Sequence, residues 1–98
     1  MTFWAVPMNK TAFNVAAAGI LGACAAAGEM GAPGGVMYAG LMAKGYTLQD
    51  FEQITHAMRA SDLIRKRGEC YTITAKGAQL NAEIDAAIAA NRQQRAAA

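Results

Sequence analysis

The chain has 98 residues, room for one domain with a modest core. Hydrophobic residues make up 54%, many of them alanine, and charged residues 16%, a globular composition and not a disordered one. A formal net charge of +2 excludes an acidic mimic of nucleic acid and falls short of the basic excess common in DNA-binding domains, while two cysteines outside any CxxC spacing make no disulfide framework.

Residues 1–10 contain Phe3, Trp4, Val6, Pro7 and Met8, apolar enough to predict a segment that packs across the domain or against a partner. A first helix is predicted over residues 11–27, capped by Thr11 or Asn9, with Phe13, Ala17, Ile20, Leu21 and Cys24 recurring at helical steps. Within it, Leu21-Gly22-Ala23-Cys24 also has the form of a bacterial lipoprotein cleavage site. Asn14, the alanine content and the helical spacing favour a soluble amphipathic helix over that alternative and over a membrane span, so a cytoplasmic location is expected.

Gly28 and the run Gly31-Ala32-Pro33-Gly34-Gly35 predict a helix–helix turn. A second helix over about 33–44 turns Met37, Tyr38 and Leu41 inward, with Pro33 in its first turn and Gly45 as its stop. Thr47 with Asp50 resembles a capping box and opens a third helix running to about Ser61, whose expected buried stripe is Leu48, Phe51, Ile54 and Met58. Asp62 falls where a left-handed residue is needed. Residues 63–66 and 69–74 read as two strands of a small hairpin around Arg67-Gly68, and Thr74 caps a last helix over about 75–91 with Leu80, Ile84, Ala87 and Ile88 inward. The organisation expected is an apolar N-terminal segment at 1–10, one domain at 11–91 and a flexible tail at 92–98. The fold class is mainly α with a small β-hairpin.

Catalytic chemistry is hard to assemble from these residues. His56 is the only histidine and has no cysteine or acid at ligand spacing, so neither a metal site nor a nucleophile–base pair is expected. The glycines at 31–35 lack the Lys-Ser/Thr of a phosphate loop. Glu83 and Asp85 point to different faces of one helix. Cys70 lies close in sequence to Lys66 and Arg67, but a strand thiol is more often structural. No enzyme activity and no cofactor is expected.

The stretch 47–64, ending in Asp62-Leu63-Ile64 where the family usually has Gly-Leu-Ile, resembles the recognition helix and first wing strand of MarR-like regulators. Tyr71-Thr72-Ile73-Thr74-Ala75-Lys76-Gly77 resembles their second wing strand and the Thr-x-x-Gly that opens the next helix. The resemblance covers about residues 11–90 and implies a winged helix-turn-helix, a fold that serves both DNA reading and protein docking. The run 31–42 is also similar in flavour to small phage and mobile-element proteins, a group that includes anti-CRISPR inhibitors of type I surveillance complexes.

Carried onto this chain, the DNA-reading positions of the family fall on Gln49, Asp50, Glu52 and Gln53, two amides and two acids with no base. Basic residues gather instead at Arg65, Lys66 and Arg67 in the wing, and at Arg92 and Arg95. The expectation is therefore a phage-type inhibitor that docks on a protein or ribonucleoprotein complex handling nucleic acid. Its expected contacts are Gln49, Asp50, Gln53, His56, Arg65, Lys66, Arg67 and Trp4. The alternative is a small DNA-binding regulator, dimeric through the helices at 11–27 and 75–91, with DNA held by the basic wing; monomer and homodimer both remain open.

Overall fold

The computed structural model describes residues 9–97, with helix α1 at Lys10–Ala27, strand β1 at Ala32–Pro33, helices α2 at Gly34–Met42 and α3 at Leu48–Ala60, strands β2 at Ile64–Arg67 and β3 at Cys70–Ile73, and helix α4 at Ala75–Ala97. Phe3 and Trp4 lie outside the described residues. The fold is mainly helical with a small antiparallel sheet.

Side-chain caps open α1 and α3, and backbone bonds around left-handed residues close α2 and α3. Asn9 opens α1 by accepting from the Ala12 N–H at 2.7 Å. Thr47 and Asp50 form a reciprocal capping box on α3: the Asp50 N–H donates to the Thr47 hydroxyl at 3.1 Å and the Thr47 N–H to the Asp50 carboxylate at 3.0 Å. After α2, Gly45 takes φ 97° while the Tyr46 N–H returns to the Leu41 carbonyl and the Gly45 N–H to that of Met42, a Schellman pattern. The same pattern closes α3 around Asp62 at φ 59°, with Leu63 bonding back to Met58 and Asp62 to Arg59. The left-handed turn expected at Asp62 is therefore present.

The sheet differs from the expected hairpin. It has three strands in the order β1-β3-β2, with Ala32 opposite Tyr71 and Pro33 opposite Cys70. The glycine-rich run at 31–35 is thus not a plain helix–helix turn. It carries the chain across β3, and small residues are needed there because the backbones nearly touch: a Cβ on Gly31 would sit 3.1 Å from both the Cys70 Cβ and the Tyr71 carbonyl oxygen. Pro33 precedes α2 as its N-cap residue instead of entering its first turn. β2 and β3 pair from Ile64–Ile73 to Arg67–Cys70, and Gly68 takes φ 60° at the first position of the two-residue turn, as a type II′ hairpin requires.

The core is built from Ala16, Ile20, Leu21 and Cys24 of α1, Met37 and Leu41 of α2, Phe51, Ile54 and Met58 of α3, and Ile64 and Tyr71 of the sheet. Tyr38, Phe51 and Tyr71 form an aromatic row through α2, α3 and β3, with Phe51 and Tyr71 edge-to-face at 6.2 Å. Lys10–Met30 is long and apolar enough to cross a membrane by length and composition, yet α1 contributes four buried residues to this core, including the Leu21 and Cys24 of the lipoprotein-like motif. Burial pushes the Cys24 thiol up to about 11, which keeps it neutral and poorly nucleophilic at physiological pH.

Three expected core positions are corrected. Leu48 is 49% exposed: it shares a helix face with Phe51 and Thr55 but is the first residue of α3 and borders the open groove beside that face, whereas Thr55, two turns on, is buried with its hydroxyl donating to the Phe51 carbonyl at 2.9 Å. On α4, Leu80 and Ile84 pack against the core, whereas Ala87 is exposed and Ile88 is 46% exposed. The helix has outrun its neighbours by that point, and it continues to Ala97 where the sequence suggested an end near Asn91 and a flexible tail beyond.

Candidate docking groove between α3 and β2

The inward stripe of α3 leaves Gln49, Glu52, Gln53, His56 and Arg59 exposed at three- and four-residue steps along its opposite side. The hairpin stands beside this face. Because side chains alternate along a strand, Ile64 and Lys66 point to the α3 side of β2 while Arg65 and Arg67 point away. Lys66 lies opposite Tyr71 in the ladder, its Nζ 6.0 Å from the ring centroid. Between the helix and the strand runs an open groove of about 650 Å³, lined by Gln49, Glu52, Gln53, His56, Arg59 and Lys66 with Leu48, Phe51, Thr55 and Tyr71 as its floor and end.

Four of the residues expected to make contacts, Gln49, Gln53, His56 and Lys66, are therefore brought together. The others sit differently. The Asp50 carboxylate is engaged in the capping box and lies outside the groove lining. Arg65 is paired with Asp62 at 3.8 Å in an exposed ion pair, a geometry that adds little stability. Arg67 lines a separate recess of about 490 Å³ on the other side of the hairpin, with Gly28, Glu29 and Thr72. The three basic residues thus do not form one patch; the pleat divides them. Trp4 lies outside the described residues.

Arg59 and Leu48 belong to the groove but were missed. Extending the Gln49–Gln53–His56 row by three residues reaches Arg59, so that signal was in the spacing. Leu48 was hidden by its apolar character. Among the described residues no group of three or more histidine, cysteine, aspartate or glutamate side chains comes together to hold a metal ion. Polar, open and mixed in charge, the groove is suited to complementary surface contact.

The engagement of Asp50 makes a prediction. Asp50→Ala removes one half of the capping box and is expected to cost about 1 kcal/mol of stability. Partner binding should be unchanged once the variant is compared below its melting temperature. Thermal melts together with a binding titration check this, and a loss of binding without a loss of stability would return Asp50 to the contact surface.

Comparison with protein families, with curated proteins and with solved structures finds no match for this chain.

Proposed function

We propose that this chain is a non-enzymatic winged-helix interaction protein that docks through the α3–β2 groove on a protein or ribonucleoprotein complex handling nucleic acid. In its sharpest form it is an anti-CRISPR-like inhibitor that occupies a type I surveillance complex and keeps target DNA out. The winged-helix reading is supported by the element order, with a strand between the first two helices, and by the strand order β1-β3-β2. The docking reading rests on one observation. The exposed face of α3 presents Glu52 between Gln49 and Gln53, so the position a major groove would meet first carries a carboxylate and no base. Phosphate repels that arrangement, whereas a protein surface with paired donors and cations accepts it. The activity fits a cytoplasmic protein without cofactor.

A second reading has its own support. Arg59 and Lys66 flank the far part of the groove, Asp50 is withdrawn into the cap, and Gln49 and Gln53 have the chemistry to read adenine. Those features suit a DNA-binding regulator.

A gel shift distinguishes the two. Labelled target DNA is run with this protein, with a type I surveillance complex, and with both. The docking reading expects free DNA with the protein alone and loss of the complex's shift when both are present. The combined variant Gln53→Ala/His56→Ala, both positions being exposed, is expected to weaken inhibition roughly tenfold or more. A shift by the protein alone that added salt reverses would instead establish the regulator reading.

A further inference from the structure

Two exposed helix faces of this chain carry matching charges. On α3, Glu52 and Arg59 line the groove seven residues apart. On α4, Asp85 and Arg92 are also exposed and seven residues apart, with Ile88 between them at 46% exposure. Seven residues make nearly two full turns, so in each helix the acid and the base share a face about 10.5 Å apart along the axis. In both helices the acid comes first. Among the described residues none of these four charges enters an ion pair. The stretch from Asp85 to Gln94 is exposed throughout, and no residue of α4 lines the groove. α4 packs against α1 and β3, so its exposed stretch is not the occupant of its own groove.

We infer that the exposed stretch of α4 docks in the α3–β2 groove of a second copy of this chain. Charge fixes the direction. Laid antiparallel, Glu52 of one copy meets Arg92 of the other while Arg59 meets Asp85. A parallel alignment at the same level sets like charges together. Spacing fixes the register, because equal intervals let both pairs close at once. Asn91 then lies level with Gln53, amide to amide, and Ile88 level with Thr55 and His56, beside the apolar floor that includes Phe51 and Tyr71. Length agrees too: residues 85–94 span about 15 Å of helix, enough to cover the row from Glu52 to Arg59. Ala86, Ala89 and Ala90 beside Ile88 keep this stretch thin, which favours close approach. One such contact is small, so the association is weak. A groove filled by a second copy is closed to any other occupant; this consequence, unlike the contact itself, rests on the docking function proposed for the groove.

Sedimentation equilibrium of the whole chain, without any partner, tests the contact. Self-association is expected at concentrations of roughly 0.1–1 mM. Glu52→Arg and Arg92→Glu should each weaken it about tenfold or more, and the combined Glu52→Arg/Arg92→Glu should restore it, because the pair re-forms with its charges exchanged. Glu83→Arg, on another face of α4 and with the same change in charge as Glu52→Arg, should leave it unaltered. All these positions are exposed, and circular dichroism checks the fold of each variant. Should one misfold, Arg59→Glu with Asp85→Arg supplies a second exchange. A chain that stays monomeric at about 1 mM overturns the proposal. Weakening by Arg92→Glu but not by Glu52→Arg places α4 against another surface, such as α4 of the second copy, and overturns it; so does weakening by both without rescue. The docking function is judged by the gel shift and this contact by sedimentation alone, so either can fail while the other stands.

Discussion

Gly77→Ala should destabilise the domain by about 3 kcal/mol, although the same change in an ordinary helix stabilises it by up to about 1 kcal/mol. Gly77 lies in the first turn of α4, and its backbone does not need glycine. The constraint is steric. A Cβ there would overlap the Leu63 carbonyl oxygen and press on Ile73. That carbonyl is not free to move, because it accepts from the Thr74 N–H at 3.1 Å and has the Thr74 hydroxyl at the same distance. Around it, the Thr74 hydroxyl donates to the Asp62 carbonyl at 2.6 Å and accepts from the Gly77 N–H at 3.0 Å, while the Lys76 ammonium reaches the Ser61 carbonyl at 3.0 Å. The start of α4 is thus bolted onto the end of α3, and a methyl group at position 77 pries the two apart. Urea denaturation of the variant beside Gly40→Ala, where the new methyl meets open space, separates steric exclusion from helix propensity by sign: position 77 should lose stability and position 40 should gain a few tenths to about 1 kcal/mol. A gain at position 77 would mean that the start of α4 does not approach the Leu63 carbonyl as closely as described.

Ile54→Ala is expected to cost roughly 2–5 kcal/mol, and Ile54→Val roughly 1 kcal/mol. Ile54 is fully buried at the middle of α3, where that helix packs on α1, α2 and β2. The loss combines the transfer free energy of the removed carbons with a cavity that these fixed elements cannot collapse to fill. A single domain of this size commonly has a total stability near the low end of about 5–15 kcal/mol, so the alanine variant should melt on the order of 10 °C or more below the parent. Melting curves check the value. The substitution leaves every groove side chain in place, so binding measured well below the melting point should persist. A melting point within a degree or two of the parent would mean that α3 is not anchored through this side chain.

The helices are legible in sequence because their signals are local. Asn9, the Thr47–Asp50 pair, Gly45 and Asp62 declare helix ends through bonds that span three to five residues. β1 has no such signal. It is two residues long, one of them proline, and exists only because β3 arrives beside it from almost forty positions later. The same distinction holds within the groove. Gln49, Gln53 and His56 fall on one face by helical spacing alone, but the link to Lys66 depends on how the hairpin is laid against α3. Reading Arg65 to Arg67 as one cluster overlooks the alternation along a strand. Periodicity also continues along α4 past the point where anything remains for it to pack on, which is why Ile88 looks like core and is not.

The strand order also bears on how the sheet meets other molecules of its own kind. β1 and β2 are its two open edges. One edge is only two residues long and contains Pro33, which has no N–H to offer an incoming strand. The other is Ile64-Arg65-Lys66-Arg67, where three cations in succession resist a like-charged neighbour. Both edges are therefore blunted against strand addition, and the basic run has a physical purpose whether or not a partner meets it. Neutralising all three cations would remove contact chemistry and edge protection together, leaving a smooth strand open to pairing with another chain.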